Sequence, residues 1–325
     1  MEPPALLALA VLCAFLMGYA VNQGSTCAVS AAKELVYQGE GTILVGFAIA
    51  IGTAGLVCLP LAWLFPDNVH LAGDAGVSGS LILGAMLLGV GAFINDACLF
   101  GTLSRIGQGE VRFFALPVGL TFGFFVADRQ PWVAAGERTP NLLADPSLLG
   151  FLVIAAFALL LMFCLWLLGR KEIQPSHREW PLRRAMVVLG ICGALLFSLT
   201  PGWTYADAVH RAVTTKEGMR AIDSGVILAA IAALLGALTS GIRARSFHLE
   251  KPTANTVTRS LLGGTIMAFG GTLIPGGNDT LLLSSVPSAT LSGLTAYATM
   301  AATVPLLLLL TRKFLPRRFQ QDAPK

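Results

Sequence analysis

The chain has 325 residues, of which 55% are hydrophobic and only 12% charged; its net charge is +4 and its mean hydropathy +0.72. A water-soluble domain carries roughly 25% charged residues, so this composition excludes a soluble globular fold and places the chain in a lipid bilayer. The small positive charge follows from the placement of Lys and Arg described below and gives no ground for a nucleic-acid partner.

In chain order, the first apolar stretch, residues 5–21, follows only Met1, Glu2 and two prolines. It lacks the basic start of a signal peptide and is expected to be retained as a span. A polar, glycine-bearing segment, 22–40, follows with Gly24 and Cys27. Spans are expected at 41–64 and 80–95, then a second interrupted segment, 95–112, holding Asn95, Cys98, Gly101, Arg105, Gly107 and Gly109. Spans at 113–127, 148–168 and 185–200 lead to a third such segment, 201–221, which contains Asp207. Spans at 222–240 and 260–274 lead to the fourth, 275–289, with Gly276, Gly277, Asn278 and Asp279. A last span, 290–310, precedes a tail with Arg312, Lys313, Arg317 and Arg318, which is suited to anionic headgroups. At about 20 residues per crossing, this makes nine crossings.

Basic residues near span ends stay on the cytoplasmic side. With the N-terminus outside, only Arg129, Arg138, Arg211, Lys216 and Arg220 fall in outer connections, leaving 17 of the 22 Lys and Arg on the cytoplasmic side. That division favours nine spans with a cytoplasmic C-terminus.

The four interrupted segments hold too much Gly, Pro and polar side chain to cross lipid. Broken backbone at membrane depth survives only where protein or a water-filled cavity shields it, so these segments read as re-entrant loops that meet in the interior. The first two enter from the cytoplasmic side and the last two from outside. An offset of 180 residues relates the halves: Ser25-Thr26-Cys27-Ala28-Val29 lies over Tyr205-Ala206-Asp207-Ala208-Val209, and Gly84, Gly91, Leu103 and Ser104 fall on Gly264, Gly271, Leu283 and Ser284. Cys98 falls on Asn278. The expected fold class is all-α: a polytopic membrane protein of about nine transmembrane helices plus four re-entrant helical loops, in two inverted repeats with an hourglass shape. Residues 1–147 form the first repeat, 148–184 a linking helix and basic loop, and 185–325 the second repeat and tail. Inverted repeats place a substrate site near the midplane, where broken helices converge. The waist is expected to be lined by Cys27, Cys98, Asp207 and Asn278.

A neutral Cys98 thiol offers a weak S–H donor that matches a soft, polarizable sulfur anion and binds weakly enough to release it; the alternative is a small packing residue. Gly101, Gly107 and Gly109 permit backbone to approach a ligand closely. Asp207 and Asp279 suit proton or cation coupling, or the capping of broken helix ends. Arg105 attracts anions at the cytoplasmic mouth or simply follows the orientation rule. Cys13, Cys58, Cys164 and Cys192 lie within spans as small hydrophobes. No CxxC pair, no metal-ligand companion for His70, His177, His210 or His248, and no Walker A loop is present, so neither metal nor cofactor is expected.

The run Cys98-Leu99-Phe100-Gly101-Thr102-Leu103-Ser104-Arg105-Ile106-Gly107-Gln108-Gly109-Glu110, with Cys27 in Gly24-Ser25-Thr26-Cys27, resembles the motifs of the YeeE/YedE family, whose best-known members import thiosulfate. The resemblance implies the hourglass fold in a bacterial inner membrane, a non-enzymatic permease, and cysteines that pass a small sulfur-containing anion through the waist by S–H contacts. With the residues read above, the expected substrate-binding set is Cys27, Cys98, Asn278, Arg105 and Asp207, and the resemblance adds a small cytoplasmic sulfur-carrier protein as a partner. Where the family carries a third cysteine, this chain has Gly276-Gly277-Asn278-Asp279. That leaves thiosulfate, another small sulfur or selenium compound, a membrane thiol redox protein using Cys27 and Cys98, and a membrane scaffold as the readings to separate.

Overall fold

The computed structural model describes residues 4–130, 138–170, 179–200, 202–215, 218, 222–274 and 276–312, and every regular element among them is a helix. Lys171, Arg178, Lys216, Arg220, Lys313, Arg317, Arg318, Lys325, His177 and Pro275 lie outside the described residues. The long helices are α1 (Pro4–Gln23), α3 (Thr42–Leu64), α4 (Gly79–Asn95), α7 (Leu148–Arg170), α8 (Leu182–Leu199), α10 (Ser224–Arg243), α11 (Ala254–Leu273) and α13 (Leu291–Thr311). Between them lie the short helices α2 (Ala28–Lys33), widened into a π turn over Glu34–Gln38; α5 (Leu99–Gly107); α6 (Ala115–Ala127); α9 (Tyr205–Thr214); and α12 (Asn278–Thr280), widened likewise over Leu281–Ser285.

Seven helices among the described residues are long and apolar enough to cross a membrane, and an eighth is added if α11 and its bent continuation through α12 form one span. Helices stand at all nine positions where crossings were expected, but α6 has only 13 residues. At 1.5 Å per residue it covers about 20 Å of a hydrocarbon core of about 30 Å. Its preceding 3₁₀ turn, Val111–Phe114, lengthens it.

Side chains sort by neighbour rather than by a soluble inside-outside rule. Helix α7 packs along α3 and leaves Phe151, Leu159, Met162 and Phe163 exposed, as lipid tails allow. Elsewhere small residues let backbones close up. A Cβ on Gly84 would meet the Gly270 carbonyl at 2.9 Å, and one on Gly91 the Gly263 carbonyl at 2.7 Å, so α4 and α11 cross at glycine. Helix α1 packs along α10 and α8, α3 along α8, α11 along α4 and α6, and α13 along α4.

Each of the four segments read as re-entrant contains one of the short helices α2, α5, α9 and α12. The connections that follow the long helices hold their ends. After α10, His248 and Glu250 donate their amides to the Gln108 and Gly109 carbonyls at 2.8 and 3.2 Å, tying that loop to the end of α5. After α3, the Asp74 carboxylate accepts the Leu291 and Ser292 amides at 3.0 and 3.1 Å, which caps α13.

Candidate functional site

Helix α4 stops because Asp96 takes a left-handed conformation, φ 65°. Asn95, fully buried, bridges the break by donating to the Ala97 carbonyl at 2.8 Å and to Thr102 Oγ1 at 3.2 Å. The chain restarts as α5 with Cys98 as its N-cap, in extended conformation. Helix α2 restarts the same way, with Cys27 as its N-cap, after Ser25 at φ 47°. Both thiols are buried, 4% and 1% exposed.

The two caps meet. Cys98 donates its S–H towards Cys27 Sγ at 3.8 Å, while its own sulfur accepts the Gly101 and Ala28 amides, each at 3.4 Å. First-turn N–H groups of α2 and α5, which have no partner inside their helices, therefore point at one sulfur. Gly101 leaves the room: a Cβ there would lie 2.8 Å from Cys27 Cβ and closer still to its sulfur. Gly101 thus acts by close approach inside a helix rather than by a turn. Of the candidate loop glycines, Gly109, at φ 95°, and Gly276, at φ 114°, have backbones in the left-handed region. Gly107 lies against α10, and Gly24 sits at the turn after α1, its amide bonded to the Ala20 carbonyl at 2.8 Å.

The second half reaches the same point through the backbone. Asn278 Oδ1 accepts the Leu99 amide at 3.1 Å, and the Tyr205 hydroxyl donates to the Leu99 carbonyl at 3.3 Å. Asn278 therefore positions α5, and Leu99 joins Cys98 to segments from the far end of the chain. Gly277 is the N-cap of α12 as Cys98 is of α5, with Asn278 one residue further on, and Thr204 is the N-cap of α9 as Cys27 is of α2. Asp207 lies three residues into α9, where its carboxylate accepts the Thr204 hydroxyl at 2.8 Å and its amide donates to Thr204 Oγ1 at 3.1 Å. Asp279 is buried and accepts the Thr280 amide at 3.0 Å.

Arg105 is not an open cation: it pairs with Glu110 at 2.7 Å. Glu110 also holds Arg112 at 3.3 Å, and Asp96 pairs with Lys33 at 2.8 Å and Arg112 at 3.9 Å. Lys33 and Tyr205 join the site in the fold without being among the residues expected there. A lysine inside a segment expected at membrane depth is itself a signal of pairing, whereas nothing in the sequence marks Tyr205.

A cavity of about 320 Å³ opens beside the connections that follow α3 and α8 and reaches Leu99 and Gly277. Asp207, His210, Arg211 and Arg138 line it. Among the described residues, no three His, Cys, Asp or Glu side chains gather as a metal set.

Residues 23–306 match the model of a protein family described as sulphur transport. Over an alignment of 302 residues the chain is 22% identical to the thiosulfate transporter TsuA of Escherichia coli (strain K12), a match that covers 82% of this chain and 83% of that protein.

Proposed function

Because the chain belongs to the sulphur transport family, the YeeE/YedE family its motifs resemble, we propose that it carries thiosulfate or a related small sulfur-containing anion inward across the membrane. Membrane transport of a sulfur compound is what the family and the apolar helices give; the substrate, the direction and the route are the proposal. One observation carries the route: Cys27 and Cys98 bring their sulfurs to 3.8 Å at the point where both halves of the chain converge on Leu99.

On this reading a soft terminal sulfur exchanges S–H contacts with the two thiols, and amide N–H groups around Cys98 stabilise the negative charge in transit. Such contacts are individually weak, which lets the ion leave. Asn278, Asp207 and Arg105 belong to the proposed path as residues that shape it: Asn278 by holding Leu99, Asp207 from the outer cavity, and Arg105 from the other end of α5.

The two-repeat, hourglass organisation is part of the proposal, with residues 1–147 and 185–325 as the repeats and 148–184 as the link. Packing supports it. Exchanging α1 with α8, α3 with α10, α4 with α11 and α6 with α13 turns the α1–α10 contact into α8–α3, and α11–α6 into α4–α13. The glycine crossings exchange in the same way at an offset of 179 residues, one less than the sequence register. Nine crossings, an outside N-terminus, a cytoplasmic C-terminus, a bacterial inner membrane and delivery to a small cytoplasmic sulfur carrier complete the reading; the division of Lys and Arg supports the orientation.

The experiment is uptake of radiolabelled thiosulfate into cells lacking their own importers, with the chain against an empty vector. Saturable uptake above vector is expected. Uptake equal to vector removes thiosulfate and turns the search to other sulfur or selenium compounds.

A further inference from the structure

The outer cavity is more cationic than its depth in the protein requires. Two guanidinium groups, Arg138 and Arg211, line it against the single carboxylate of Asp207, together with His70 and with His210, whose ring lies 4.7 Å from that of Phe124. These residues come from the connection before α7 and from α9, so the cluster exists only in the folded chain. Arg211 is oriented by donating to the Gly202 carbonyl. Arg138 is exposed and makes no ion pair closer than 4.0 Å among the described residues.

From this we infer that the outer cavity is an oxoanion-capture site in which Arg138 and Arg211 hold the oxygen-bearing end of a small dianion before it reaches the thiols. The inference rests on the transport reading for its purpose but not for its chemistry. Guanidinium is a fork of N–H donors suited to the oxygens of an oxoanion, and a concave, low-dielectric wall focuses the field of those charges. At about 30 Å³ per water, 320 Å³ holds roughly ten waters, enough for a five-atom oxoanion with part of its hydration. The lining includes Leu99, the residue that follows Cys98 in the chain. An ion with a hard oxygen end and a soft sulfur end would therefore meet arginine with the first and cysteine with the second. A neutral sulfur compound would gain nothing from the arginines.

The test is equilibrium binding of radiolabelled sulfate and thiosulfate to the purified full-length protein in detergent, alongside uptake in cells. The wild type should bind both anions saturably, with chloride a poor competitor. Arg138→Gln and Arg211→Gln should each weaken binding at least about tenfold. Arg138→Gln, at an exposed position, guards against a folding defect at Arg211. In cells, Arg138→Gln should raise the half-saturating thiosulfate concentration and leave the maximal rate. Absence of binding in the wild type, or unchanged affinity in both arginine variants, overturns the site. Binding that behaves as stated while uptake equals vector supports the site and overturns thiosulfate transport instead.

Discussion

Cys98 sits with its sulfur 3.8 Å from that of Cys27, while two backbone amides donate to it. The pair joins two broken helices that are 71 residues apart in the chain. A trivalent arsenical bonds two thiols at one arsenic atom and should therefore inhibit uptake through this pair. A dithiol should reverse the inhibition, and Cys27→Ser should be resistant. Equal sensitivity of wild type and Cys27→Ser would show that the two thiols do not act together.

Gly101→Ala puts a methyl where Cys27 lies, 2.8 Å from its Cβ. Overpacking of this kind costs about 1–3 kcal/mol. The variant should still insert in the membrane but lose at least about tenfold in maximal uptake rate, because the thiol pair separates. Initial rates at matched membrane levels measure this.

Asn278→Leu removes the acceptor for the buried Leu99 amide. Leaving such a donor unsatisfied costs about 1–3 kcal/mol. Asn278→Asp keeps a carbonyl-type oxygen in place and should retain more thermal stability in detergent than Asn278→Leu. The reverse order would remove the positioning role given to Asn278.

The Lys33–Asp96 pair is nearly closed to solvent, its side chains 6% and 17% exposed. Removing one partner of a fully buried pair costs about 3–5 kcal/mol, and here the cost should be smaller, because Asp96 keeps Arg112 at 3.9 Å when Lys33 is lost. Lys33→Met should therefore lower the melting temperature more than the double variant Lys33→Met/Asp96→Asn, in which both charges are gone.

Asp74 lies in the connection between α3 and α4, outside the membrane-spanning helices. Burial pushes its carboxyl up, but hydrogen bonds from the Ser292 hydroxyl and from the Gly76, Leu291 and Ser292 amides together hold it below its ordinary value of 3.8. A lowered folded-state value means stability that is fully present above 3.8 and is lost as pH falls from there through the folded value. Melting of wild type should fall over that acidic window, while Asp74→Asn should start lower at neutral pH and lose less on acidification.

Much of this organisation is legible in the residues. Gly24 to Cys27, Asn95 to Cys98 and Gly276 to Asn278 mark the breaks because a helix cannot pass through their turns, and each break is followed by a short helix. The thiols were legible as residues, but their contact was not: the approach depends on Gly101, whose role inside a helix looks the same in sequence as a turn glycine. In sequence Asn278 reads as a lining residue, whereas its oxygen holds a backbone amide 179 residues away. Arg105 carried an expected charge, and only the fold shows Glu110 beside it. Tyr205 and the Arg138–Arg211 cluster were illegible because their meaning is set by chain segments far from them.

The central claim is that the ion passes by way of the Cys98 thiol. The direct measurement is the initial rate of thiosulfate uptake for wild type, Cys98→Ser and Cys98→Ala at matched membrane expression, in cells without other importers. The account predicts uptake by wild type and a fall to the vector rate for Cys98→Ala, with Cys98→Ser, which keeps a donor but loses the soft sulfur, well below wild type. Uptake by Cys98→Ala at the wild-type rate would contradict it.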